Sequence, residues 1–166
     1  PIEGEGGHIC MAPETDLEIG VLRFLRDRQP GRISAERLLS GMGLENLLDA
    51  IEHVSGQRST LASRTAADIS QAGLAGSCAV CEQVLHTFCG LLGSVAGDLA
   101  LLLGARGGIY IGGGIVPRLG EFFDRSSFRA RFDNKGRLSG LTREVPVFII
   151  DAAVSPALLG ASRALR

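Results

Sequence analysis

Close to the start of the chain a carboxylate and an imidazole share a glycine-rich turn, Gly4-Glu5-Gly6-Gly7-His8. Glycine lets the backbone take positive φ and come close to a ligand. A Glu that accepts and an imidazole that donates or accepts suit the hydroxyls of a polar substrate. A second cluster, Gly112-Gly113-Gly114, ends a β-prone segment ahead of Pro117 and offers bare backbone N–H groups to an anionic or nucleotide ligand. It fits neither G-x-G-x-x-G nor G-x-x-x-x-G-K-[ST], so a tight structural turn stands beside the nucleotide reading. Glu36, two residues after Ser34, is a third polar candidate, although alone it reads as a favourable first-turn acid. Spacing does not bring it to Glu5.

Cys78-x-x-Cys81 with His86 and Cys89 has the residue types of a metal site. Inside a helix, however, Cys78 and Cys89 stand roughly 16 Å apart at a rise of about 1.5 Å per residue. Zinc gathers its ligands at about 2.0–2.3 Å from one point. No metal is expected. Cys10, Cys78, Cys81 and Cys89 are expected to be reduced, packing as small apolar residues in a cytoplasmic protein.

Several elements must position these groups. Helical spacing covers Thr15 to Gln29, with Leu17, Val21, Leu22 and Leu25 on one face and Pro30-Gly31 as a stop. Ser34 is the expected N-cap of a helix over 35–39, ended by Ser40-Gly41-Met42-Gly43. Further helices are expected from Leu44 to His53, within Ser59 to Gly73, and over the apolar run Val84 to Ala105. That run has the length of a membrane span. Asp98 within it would cost about 2.5–3.5 kcal/mol near mid-membrane, so a buried core helix is expected instead. Gly90, Gly93 and Gly97 recur at helical spacing and would admit another backbone. Residues 1–12 read as a loop with a short strand, and strands are expected around Ile109–Ile111 and over Val145 to Ile150. A helix from Pro117 through Leu119, Phe122 and Phe123 lies between the last two. Ser155-Pro156 opens a final helix reaching Leu165.

The chain has 166 residues, 45% apolar and 21% charged, with a net charge of −1. It is one helix-rich α/β unit with no basic block, which argues against nucleic-acid or anionic-membrane partners. Only 5% of residues are aromatic and none is Trp, so base-stacking platforms are not expected. Because it opens on Pro1, it is expected to be a piece of a longer protein.

Blocks along the whole chain resemble bacterial glucokinase of the proteobacterial type. They are Gly4-Glu5-Gly6-Gly7-His8 with Ala12-Pro13, Ser34-Ala35-Glu36-Arg37 with Leu39-Ser40-Gly41, and Ser77-Cys78 with Cys81. Gly107 through Arg118, Phe128-Arg129, Lys135-Gly136-Arg137 and Pro156 through Ala161 complete them. Met42 departs from the proline common after Ser40-Gly41 in the second block, and the zinc-binding cysteine cluster of the broader repressor–kinase family is absent.

The resemblance implies an actin-like, ribonuclease H-like fold of the hexokinase type. Residues 1–150 would form a large lobe, and 151–166 the start of the helix returning to a small lobe. It implies a cytoplasmic homodimer that phosphorylates glucose with ATP and Mg²⁺ at the first step of glycolysis. Glu5, His8 and Glu36 would bind sugar hydroxyls, and Gly112, Gly113 and Gly114 would lie on the adenosine side. The family's Asp-x-Gly-Gly-Thr, Asn-Asp and Gly-Thr-Gly motifs are not in this chain, so no catalytic base is assigned within it and no turnover is expected from it alone. A kinase for another hexose and a sugar-sensing regulator on the kinase fold are the alternatives.

Overall fold

The structure is a computed structural model and describes residues 4–29, 31–152, 154 and 156–164. In chain order its elements are α1 (Asp16–Arg28), α2 (Gly41–Ser55), α3 (Ala66–Leu74), α4 (Ala79–Leu103), β1 (Ile109–Ile111), α5 (Ile115–Leu119), α6 (Glu121–Asp124), α7 (Phe128–Asp133), α8 (Ser139–Arg143), β2 (Val147–Ile149) and α9 (Pro156–Ala164). The proposed stops and starts at Pro30, Ser155 and Leu165 lie outside the described residues, as do Pro1–Glu3 of the opening loop.

α4 is the axis of the molecule. By length and composition it is apolar enough to cross a membrane, yet 67% of its most apolar window is buried against neighbouring helices. Leu85, Phe88, Cys89 and Leu91 point into the core it shares with α2, α3 and α7. The glycine stripe works as expected. A Cβ at Gly93 would overlap the carbonyl oxygen of Phe128, and one at Gly97 would overlap that of Phe132. The backbone of α7 therefore rests directly on α4. Beside this contact Arg131 donates to Glu18 at 2.7 and 3.1 Å and to Ser94 Oγ at 2.9 Å, tying α1, α4 and α7 together.

α1 begins where its pattern predicts. Thr15 Oγ1 accepts from the Glu18 N–H at 3.2 Å, and Glu18 reaches back to the Thr15 N–H, a reciprocal cap. Four expectations need correction. Residues Ala35–Arg37 form a single 3₁₀ turn rather than a helix over 35–39, and the Ser34 side chain makes no cap. α2 starts at Gly41, not Leu44, because Ser40 Oγ accepts from the Gly43 N–H at 3.0 Å; the supposed breaker is a helix start. The helix after Pro117 is split at Gly120, whose φ of +51° favours glycine. α7 was not foreseen, because two turns of Phe128–Asp133 are too short for a periodic signal.

β1 and β2 pair in parallel, Ile109 with Val147 and Ile111 with Ile149. Tyr110 stacks on Phe148 with centroids 4.9 Å apart. Near the start of the chain the expected strand reduces to one antiparallel bridge, Cys10 to Ser34.

Candidate functional site

That bridge supplies the link that spacing could not. Ala35 N–H donates to the Ile9 carbonyl at 2.9 Å and Met11 N–H to that of Ile33 at 3.0 Å. Two short segments are thereby held side by side, one following the Glu5–His8 turn and the other leading into Glu36. Gly6–His8 is itself a 3₁₀ turn, closed by the His8 N–H donating to the Glu5 carbonyl at 2.9 Å. Gly7 faces Glu36 so closely that a Cβ there would stand 3.5 Å from the Glu36 Cβ. His8 Nε2 lies 3.7 Å from Glu36 Oε2, with both side chains more than half exposed.

Glu5, His8 and Glu36 line one cavity of about 370 Å³, floored by Leu39 with Val95 and Leu99 of α4. A polar rim over an apolar floor fits a small polyol, which presents hydroxyls at its edge and C–H groups on its face. Arg32, not singled out in the sequence, donates to the His8 carbonyl and so braces the turn from outside. It lines a second cavity of about 360 Å³ with Arg37, on the other flank of His8 and Glu36. Only proximity in the fold reveals it.

The second glycine cluster lines a separate cavity of about 470 Å³, where Gly113 and Gly114 face Arg118, Asp151 and Pro156. Gly113 takes φ +100°, and the Ile150 N–H donates to the Ile111 carbonyl at 2.9 Å, joining the ends of both strands. α5 beyond it has only five residues, so its dipole adds little; Arg118 and Asp151 are the charged groups there. The sequence did not single out Arg118 either. Gly112 packs against Ile150 and is not among the lining residues, so of the three glycines it is the structural one.

The cysteines form no metal site. Among the described residues no group of three or more His, Cys, Asp or Glu could hold an ion, and all four cysteines are free thiols; Cys78, Cys81 and Cys89 are packed as expected, but Cys10 is exposed. One cluster escaped the sequence altogether. Glu52, 2% exposed, accepts from Arg58 Nη1 and Arg64 Nη1 at 3.1 Å and from the Ser59 N–H at 2.8 Å. Burial alone would raise its pKa. The hydrogen bonds from Arg64, Ser59 and Arg58 outweigh burial and bring it down to about 2.

The glucokinase family model matches residues 1–166. This chain belongs to the glucokinase family. It is 52% identical over 165 residues to the glucokinase of Aromatoleum aromaticum, covering 99% of this chain and 49% of that relative. To the glucokinase of Chromobacterium violaceum it is 50% identical, covering 96% and 44%. The crystal structure of a glucokinase from an Antarctic psychrotroph superposes with a TM-score of 0.87 at 41% identity, over 99% of this chain and 50% of that one. A glucokinase from Balamuthia mandrillaris, solved in complex with glucose, shares the fold at a TM-score of 0.79 and 18% identity, over 92% of this chain and 44% of that one. The helix-rich α/β fold is therefore that of glucokinases, of the hexokinase-type, actin-like class. The chain spans about half the length of the curated glucokinases it matches.

Proposed function

We propose that the protein carrying this chain transfers the γ-phosphoryl group of ATP to the 6-hydroxyl of D-glucose, and that this chain supplies the sugar-orienting groups. The observation behind the proposal is the convergence of Glu5, His8 and Glu36 on one cavity with an apolar floor. Carboxylates accept from sugar hydroxyls, and the imidazole accepts or donates. A substrate lacking one of those hydroxyls would leave a charged group unpaired, which is how such a site discriminates. Holding the pyranose still contributes to rate by fixing where its 6-hydroxyl points.

On this reading ATP lies against Gly113 and Gly114, with Arg118 beside its phosphates. Mg²⁺ would travel on the nucleotide and supply charge neutralisation there. The base that takes the 6-hydroxyl proton is not assigned to any residue of this chain. Residues 1–150 form the large lobe in this proposal and 151–166 begin the return to the small one. Cytoplasmic location and a homodimer belong to the same reading.

The test is coupled ADP release by the full-length protein with ATP, Mg²⁺ and a panel of hexoses, alongside this chain alone. Glucose-dependent release by the full-length protein, with none from the chain, is the expected result. Turnover on mannose or an amino sugar but not glucose changes the substrate, and no turnover on any hexose overturns the enzyme. In the full-length protein Glu5→Gln should weaken sugar binding more than ATP binding. Equal sugar affinity would remove Glu5 from the site.

A further inference from the structure

The cavity on the other flank of His8 and Glu36 has no part in the proposed transfer, and its lining differs from that of the sugar cavity. It measures about 360 Å³ and is walled by Arg32, Arg37, Ser34 and the start of α2 at Ser40 and Met42. Arg32 Nη1 donates to the His8 carbonyl, and Arg37 Nη1 to the side-chain oxygen of Gln29. Both acceptors are neutral. The arginine ion pairs among the described residues are made by Arg28, Arg58, Arg64, Arg129 and Arg131, so the charges of Arg32 and Arg37 stay uncompensated.

Ser34 points the same way. It is only 7% exposed yet lines this cavity, and its side chain caps nothing and has no other partner among the described residues. Buried hydroxyls are normally paired, so one left open beside a cavity is available to what fills it. Ser40 Oγ accepts from the Gly43 N–H, which leaves its own O–H to donate. Two guanidiniums and two hydroxyls make a donor set for phosphate, whose oxygens match the planar arginine fork. Glu36 is the one carboxylate in the lining. It repels a bare anion but accepts from a hydroxyl, so the ligand that suits this wall carries both groups.

We propose that this cavity binds the phosphate monoester of a polyol and that its occupancy opposes sugar binding on the adjoining flank. The phosphate is held by Arg32, Arg37 and Ser34, and a hydroxyl of the polyol donates to Glu36. The coupling, which rests on the sugar site proposed above, follows from shared walls: His8 and Glu36 line both cavities. A carboxylate drawn to a hydroxyl on one flank is lost as an acceptor on the other. Arg32 adds a second route, because the guanidinium that meets the phosphate also holds the His8 carbonyl. Each ligand then weakens the other by the same factor.

The experiment is titration calorimetry on the full-length protein with sorbitol 6-phosphate, sorbitol and inorganic phosphate as probes, each with and without glucose. The ester should bind, and sorbitol and inorganic phosphate should each bind at least about tenfold more weakly. Arg37→Gln should weaken the ester about tenfold or more. Ser34→Ala should weaken it about threefold or more without lowering the melting temperature, because the hydroxyl has no partner in the protein to lose. Saturating ester should raise the Kd for glucose, and saturating glucose should raise that for the ester equally. No binding of the ester, or binding that both variants leave unchanged, overturns the site. Inorganic phosphate binding as tightly as the ester overturns the role of Glu36, and a glucose Kd indifferent to the ester overturns the coupling. If glucose fails to bind while the ester binds and both variants weaken it, the phosphate-ester site stands and the sugar reading falls.

Discussion

Glu36 leaves 61% of its side chain open and, among the described residues, its carboxylate pairs only with His8, at 3.7 Å. Glu52 leaves 2% open and is surrounded by donors from Arg58, Arg64 and Ser59. A carboxylate saturated by its own protein has no capacity left for a ligand and works for stability. One left open is available to a substrate and contributes little to the fold. The difference separates the two roles better than residue type, since both glutamates have arginines near them in sequence.

The largest expected effect is on the saturated side. Glu52→Ala strands Arg64 and the Ser59 N–H and should destabilise the chain by about 3–5 kcal/mol in urea unfolding. Glu36→Ala should stay within about 0.5 kcal/mol in the same assay. Near-equal losses would break the comparison.

Acid should expose the same contrast. The Glu52 carboxyl titrates at about 2 in the folded chain, below its ordinary 4.5. Its stabilisation is thus fully present above pH 4.5, declines as pH falls toward 2, and is gone below that. The gap between wild type and Glu52→Gln, up to about 3 kcal/mol at neutral pH, should close across that window. A constant gap would mean the carboxylate's charge is irrelevant.

On the open side, Glu36→Gln in the full-length protein should cost about 1.5–3 kcal/mol of sugar binding, roughly 10- to 100-fold in Kd, with no shift in melting temperature. The smallest effect belongs to Arg58, whose side chain is 77% exposed although it touches Glu52. Arg58→Ala should cost less than about 1 kcal/mol, and Arg64→Ala, with its second contact to Asp49 at 2.6 Å, should cost more. Reversal of that order would relocate the anchor of the cluster.

How much of this was legible depended on range. The apolar face of α1 and the glycines of α4 announce themselves because they follow a helical period. Glu5 and His8 stood out by their glycine turn, and Glu36 was joined to them as a candidate by the motifs that carry the family resemblance. What joins them is the Cys10–Ser34 bridge, a single pairing too short to leave an alternating pattern. Arg32, Arg118 and the Arg131–Glu18 pair were invisible for another reason. A surface-type arginine looks the same in sequence whether it braces a turn, lines a cavity or reaches into the core, and only long-range packing decides which. Ser40 through Gly43 misled because Ser and Gly mark helix starts as readily as stops.

The parallel ladder between β1 and β2 has a kinetic consequence. Its partners, Ile109 and Val147, are separated in sequence by everything from α5 to α8. The pairing of α1 with α2 and of α3 with α4, by contrast, joins neighbours along the chain. Non-local closure loses more loop entropy before any contact repays it, so the helical half has its shape first. The Gly113 cavity is lined by residues that follow those two strands, so the proposed nucleotide side takes shape after the helical half and is lost when the ladder opens.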